Sequence, residues 1–342
     1  MRSEPRGGRT VVITGASAGI GRAAAHRFAR AGARIGLIAR DAAALEDVKR
    51  EVEARGGRAL VAAADVADAD AVFKAAEEIR DAFGRIDVWI NDAMVTVFAP
   101  TWEITPQEFR RVTEVTYLGY VHGTLAALAD MRPRDRGVII QVGSALAYRA
   151  IPLQAAYCGA KHAIRGFTDA LRAELIHDAS NVAISMIELP AVNTPQFDWA
   201  RTRLPREPRP VGPVVQPEVI ADAIYRASLD PKREYWIGRS TLEVILGNMA
   251  LPALFDRLLA RRAYEGQMTR VPALPHQRDN LEQPVHDLHR TRGSFGREAT
   301  RHALLVPGPV ARAGAAVLTA AVMLLAGASA ARLLERRNRR VG

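Results

Sequence analysis

The sequence predicts a doubly wound α/β fold: a parallel sheet between two helical layers, with a helical extension at its C-terminal side. Two observations carry this. Across the first 240 residues, short apolar runs alternate with longer segments of helical periodicity. The runs are also apolar throughout rather than alternating with polar residues, as strands buried on both faces of a parallel sheet must be. Right-handed crossovers then place helices on both faces.

The elements follow in order. A first strand is expected over Val11–Thr14 and a helix over Ile20–Ala31, joined by a glycine-rich turn. A strand over Ile35–Ala39 leads into a helix over Ala42–Ala54, for which Asp41 is the expected N-cap. Strands over Leu60–Ala63, Val88–Ile90, Val138–Val142 and Val182–Ile187 alternate with helices over Asp70–Phe83, Pro106–Met131 and Gln154–His177. Six prolines between 195 and 217 exclude a regular helix through most of that stretch, so it reads as a functional or mobile loop. A last strand is expected over Tyr235–Ile237.

Composition narrows the function. Hydrophobic residues make up 49% of the 342, which excludes global disorder. The single cysteine, Cys158, excludes a disulfide-stapled secreted scaffold and suits a reducing, cytoplasmic setting. The net charge of +10 is concentrated at one end. Residues 242–342 hold 15 arginines against 8 acids, which argues for a basic tail and against a nucleic-acid-binding body.

The segment Thr14-Gly15-Ala16-Ser17-Ala18-Gly19-Ile20-Gly21 follows a strand and opens a helix. Gly15 permits the sharp turn, Gly19 lets the backbone approach a pyrophosphate, and Gly21 lets helix and sheet pack closely. The helix N-terminus offers N–H groups and partial positive charge to phosphates. Arg40 lies nineteen residues after Gly21, at the end of the second strand, and Ala39 beside it has no carboxylate. A guanidinium there grips a 2′-phosphate, which favours NADP over NAD.

Tyr157 and Lys161 stand four apart in an expected helix and share a face. A cation beside a phenol favours the phenolate, which makes the tyrosine a general acid/base near neutrality. Ser144 follows an expected strand at the sheet edge where such folds bind ligands. Its hydroxyl can hold a substrate oxygen beside Tyr157.

With these residues the sequence resembles the short-chain dehydrogenase/reductase family over about residues 8–240. The motifs are Thr14–Gly21, Asp65-Val66, Asn91-Asp92-Ala93, Ser144 and Tyr157 with Lys161. The resemblance implies a Rossmann fold and NAD(P)-dependent hydride transfer with a carbonyl or secondary alcohol. It implies Tyr157 as proton donor or acceptor and Ser144 as carbonyl orienter. Lys161 would bind the nicotinamide ribose and depress the tyrosine pKa. Among cofactor contacts it implies Ser17 and Ile20 in the glycine turn, Asp65 and Val66 at the adenine, and Asn91 at the cofactor-side strand end. Val192 and Thr194 would lie beside the carboxamide or phosphates.

Three departures stand out. Thr116 replaces the asparagine that completes the family's catalytic tetrad, and a hydroxyl lacks the amide's separate donor and acceptor. Met94 adds bulk where the family has glycine, and Leu189-Pro190 replaces Pro-Gly. Thr116 motivates an alternative reading, a catalytically weakened cofactor-bound scaffold or sensor.

Beyond the domain at 1–240, the sequence predicts a helical extension at 241–269, a polar linker at 270–312 and an apolar helix with a basic tail at 313–342. Ala313–Ala331 carries no charge and meets the length for a membrane span. Its many alanines and the arginines after it also suit membrane-surface or protein packing. The expected partners are a small carbonyl or alcohol substrate, a membrane or protein against 313–340, and other copies of the chain in a homo-oligomer.

Overall fold

The computed structural model describes residues 8–274 and 278–317. Seven parallel strands form the central sheet: β1 Thr10–Thr14, β2 Arg34–Ala39, β3 Arg58–Ala63, β4 Val88–Asn91, β5 Gly137–Val142, β6 Val182–Glu188 and β7 Glu234–Ile237. An eighth, β8 Leu305–Pro307, pairs antiparallel to β7. The order across the sheet is β8-β7-β6-β5-β4-β1-β2-β3. The direction of winding reverses between β1 and β4, so a crevice opens beyond their C-terminal ends.

Strand periodicity divides the core. Val11 and Ile13 of β1 enter one apolar layer and Val12 enters the other. The first layer is closed by α1 Gly19–Ala29, α2 Ala42–Glu53 and α7 Pro217–Leu229. The second is closed by α3 Ala69–Phe83, α4 Pro106–Thr113, α5 Gly119–Met131 and α6 Ala155–His177. Asp41 caps α2 by accepting from Ala44 N–H at 3.1 Å, as expected. Pro217 begins α7 at its first turn, where its missing N–H costs nothing.

The helix expected over Pro106–Met131 is interrupted. Thr105 and Glu108 form a capping box that starts α4, a contribution of about 1 kcal/mol. A π-turn at Glu114–Leu118 then separates α4 from α5. Gly119 follows because a Cβ there would strike the side chain of Val66.

Past β7, α8 Arg239–Ala250 and α9 Pro252–Gly266 form the predicted helical extension, broken at Pro252. The polar stretch expected as a linker is instead folded onto the domain. Ala299–Thr300 pairs with Val214–Val215 and β8 extends the main sheet. Leu281 is fully buried in the second apolar layer. Several of the charges that made this stretch look solvated are paired: Arg290 with Asp198, Arg292 with Glu218, and Glu298 with Arg209. Most of the uncharged run at 313–331 lies outside the described residues. Among those described, no helix is long and apolar enough to cross a membrane.

Candidate active site

Two clefts meet at the crevice. The first spans about 930 Å³, open solvent at its mouth included, and runs along the glycine turn past Arg40, Asp65 and Val66. The second spans about 1130 Å³ on the same basis and reaches Ser144, Tyr157 and Lys161. Ile20, Asp92, Met94 and Thr194 line both, so the clefts are halves of one site.

The glycine turn has the geometry expected of it. Gly15 has φ +73° and Gly19 has φ +56°, values that side-chain-bearing residues avoid. A Cβ on Gly15 would lie 2.9 Å from the Ala93 backbone, and one on Gly21 would strike the Gly15 carbonyl. Ser17, Gly19 and Ile20 line the first cleft.

At the rim of β2, Arg40 lines the first cleft, and its guanidinium donates to the carbonyls of Asn280, Leu281 and Glu282 at 2.5–3.3 Å. Two Nη1 protons and one Nη2 proton are so used, leaving Nε–H and one Nη2–H for a ligand. The nearby carboxylates are committed: Asp41 to its helix cap and to His286 Nδ1, Asp65 to Arg111 Nη2 at 2.5 Å.

Ser144 follows the end of β5 with its Oγ accepting from Leu146 N–H at 3.1 Å, and its side chain is close enough to Tyr157 to pull the phenol's pKa down. Tyr157 and Lys161 project one turn apart from α6. Lys161 is buried and donates to the Val142 carbonyl at 2.7 Å and to the Tyr120 hydroxyl at 3.0 Å. Its Nζ lies 5.6 Å from the Tyr157 ring centroid. The expected lowering of the phenol by Lys161 is not what dominates in this structure. Burial and neighbouring acidic groups hold Tyr157 above its ordinary value, and Ser144 pulls it back.

Beside Lys161, the electrostatics come from residues the motifs did not single out for catalysis. Burial pushes Asp92 up and Lys161 down, each opposed by the other's charge. Glu188 stands behind Ser144, accepting its backbone N–H at 2.8 Å, and burial pushes its carboxyl up to about 8. Tyr120 lies four residues after Thr116, a helical spacing that could have pointed to it.

Other expected site residues fall differently. Thr116 lines neither cleft: it is fully buried, accepts from Val95 N–H at 3.0 Å and donates to Val95 O at 2.9 Å. Both functions of its hydroxyl are spent anchoring the strand-end loop. Asn91 is likewise fully buried and serves the core, bonding Trp89, Thr124 and Gln141. Val192 lines the second cleft. Thr194 packs against Gly19, whose Cβ would lie 3.3 Å from its Cγ2.

Comparison with known proteins agrees with this geometry. The short chain dehydrogenase family model matches residues 9–203. Uncharacterized oxidoreductase YxnA of Bacillus subtilis is 32% identical over 321 residues, 90% of each chain. An alcohol dehydrogenase from the archaeon Thermococcus sibiricus, complexed with 5-hydroxy-NADP, superposes with TM-score 0.57 at 26% identity, covering 67% of this chain and 95% of its own. A short chain dehydrogenase from Mycobacterium paratuberculosis bound to NAD gives TM-score 0.58 at 27% identity, over 66% and 93%. Glycine turn, Ser144, Tyr157 and Lys161 thus sit in a scaffold shared with these oxidoreductases, and the chain belongs to the short-chain dehydrogenase/reductase family.

Proposed function

We propose that the protein transfers hydride between NADP and the carbonyl or secondary alcohol of a bulky, uncharged apolar substrate. The observation that carries this is the meeting of the two clefts at Ser144, Tyr157 and Lys161. NADP suits the first cleft because Arg40 retains two donors there while every nearby carboxylate is bound elsewhere. A ribose 2′-hydroxyl would meet carboxylates already engaged by other donors, whereas a 2′-phosphate finds a cation.

When bound, the nicotinamide supplies or accepts the hydride. The chain's own residues manage the proton and the pose. Ser144 holds the substrate oxygen, and Tyr157 exchanges the proton with it at its phenolic oxygen. Lys161, fixed by Tyr120 and Val142, places positive charge beside the phenol and the ribose. The second cleft is walled by Met94, Leu146, Ile151, Phe197 and Val244. Its two arginines are neutralised, Arg149 by Asp256 and Arg209 by Glu298, so an apolar substrate suits it better than an anion.

Fluorescence titration with NADPH and NADH, followed by turnover on a panel of ketones and aldehydes, tests the reading. Preferred binding of NADPH with turnover of hydrophobic carbonyls is expected. Tight NADPH binding without turnover across the panel would favour the scaffold reading that the spent hydroxyl of Thr116 motivates.

A further inference from the structure

The C-terminal extension reaches back across the first cleft. Asn280, Pro284, Val285 and His289 line it opposite the glycine turn. The contacts that hold this segment are mostly main-chain. Asn280 N–H donates to Trp199 O at 3.0 Å, and Gly19 N–H donates to Arg290 O at 3.0 Å. Arg22 donates to His289 O at 2.7 Å, and Arg111 to Leu281 O at 3.1 Å. At its far end Gly293 N–H donates to Asn193 O at 3.0 Å, and a Cβ on Gly293 would collide with the Thr194 carbonyl.

These contacts leave the cleft open beneath the segment rather than filling it. They also leave a side chain without full use. The His289 ring is packed against Trp199, and its Nε2 stands 3.0 Å from Asp41 Oδ2. Nε2 makes no well-aligned hydrogen bond there, and Nδ1 is buried without a partner. A buried ring nitrogen with no partner costs free energy unless something supplies one. Burial favours the neutral ring and the Asp41 carboxylate favours the proton on Nε2, so Nδ1 is an acceptor that suits a ribose hydroxyl.

We infer that residues 280–290 are the outer wall of the dinucleotide site, with His289 Nδ1 accepting from a ribose hydroxyl of the cofactor and the carbonyls of 280–282 aiming Arg40 at the adenosine 2′ position. This rests on the dinucleotide reading of the first cleft. The wall comes from a segment about 260 residues beyond the glycine turn, so the extension is part of the binding site. The cofactor then lies beneath this segment, and its residence stiffens it.

Two measurements on the full chain test the assignment. Amide hydrogen exchange is followed across 280–293 with and without saturating NADPH. Equilibrium binding of NADPH and NADH is measured for wild type, His289→Ala and Gly293→Val. Exchange at Asn280, Leu281 and Gly293 should slow on NADPH binding while α9 stays unchanged. Each variant should weaken NADPH by about tenfold, the scale of one lost hydrogen bond. Exchange that ignores NADPH overturns the assignment, and does so on wild type even where a variant folds badly. Folded variants that bind as tightly as wild type, or more tightly, also overturn it; tighter binding would mark the segment as an obstruction. A wild type that binds neither NADPH nor NADH removes the dinucleotide reading itself, and the wall's role with it.

Discussion

Lys161 donates from Nζ to the Tyr120 hydroxyl at 3.0 Å, and the Tyr120 O–H in turn donates a hydrogen bond to the Val142 carbonyl at 3.0 Å. The ammonium that should act beside Tyr157 is therefore aimed by a phenol from α5. Tyr120→Phe removes one of the two bonds that fix Lys161. The turnover rate should fall by roughly tenfold, and stability by about 1 kcal/mol. Steady-state kinetics with a thermal melt checks both; unchanged kinetics would leave Tyr120 as packing alone.

Arg40 serves the cofactor and the C-terminal segment together. Arg40→Ala should weaken NADPH binding by about 1–3 kcal/mol, the worth of a charge-assisted bond. NADH should lose less, through the loosened segment only. Titration of both cofactors separates the two roles, and equal losses would confine Arg40 to holding residues 280–282.

Glu188 links pH to stability. Its carboxyl is pushed from 4.5 up to about 8 by burial, with Glu234 adding to the shift. A raised carboxyl keeps its full contribution at low pH and loses it as the pH climbs through the folded value. The stability of wild type relative to Glu188→Gln should therefore fall between about pH 4.5 and 8 and level off above. The fall should be on the order of 5 kcal/mol. Urea melts of both proteins across that window measure it. A difference that rises with pH, or stays flat, would contradict the burial account.

The sequence made the site legible wherever one local segment carries the chemistry. The glycine turn is local, and so is the Tyr157–Lys161 spacing, and both are found as expected. Ser144 needed only the end of β5. What stayed hidden depends on long-range pairing. The polarity of 278–301 looked like a solvated linker because its partners, Asp198, Glu218 and Asp41, lie 70 or more residues away. Thr116 aligned with a catalytic asparagine, but its partner Val95 is 21 residues earlier and visible only in the fold. The π-turn that ends α4 interrupts an apolar periodicity that, in sequence, continues through it.

The measurement closest to the central claim is NADPH oxidation by wild type and Tyr157→Phe on hydrophobic ketones and aldehydes, with cofactor binding titrated in the same samples. Wild type should turn over at least one such substrate. Tyr157→Phe should bind NADPH with nearly the wild-type affinity and lose turnover by about a hundredfold or more, the scale of general acid catalysis. Turnover surviving intact in Tyr157→Phe would contradict the assignment of Tyr157 as the proton-transfer group.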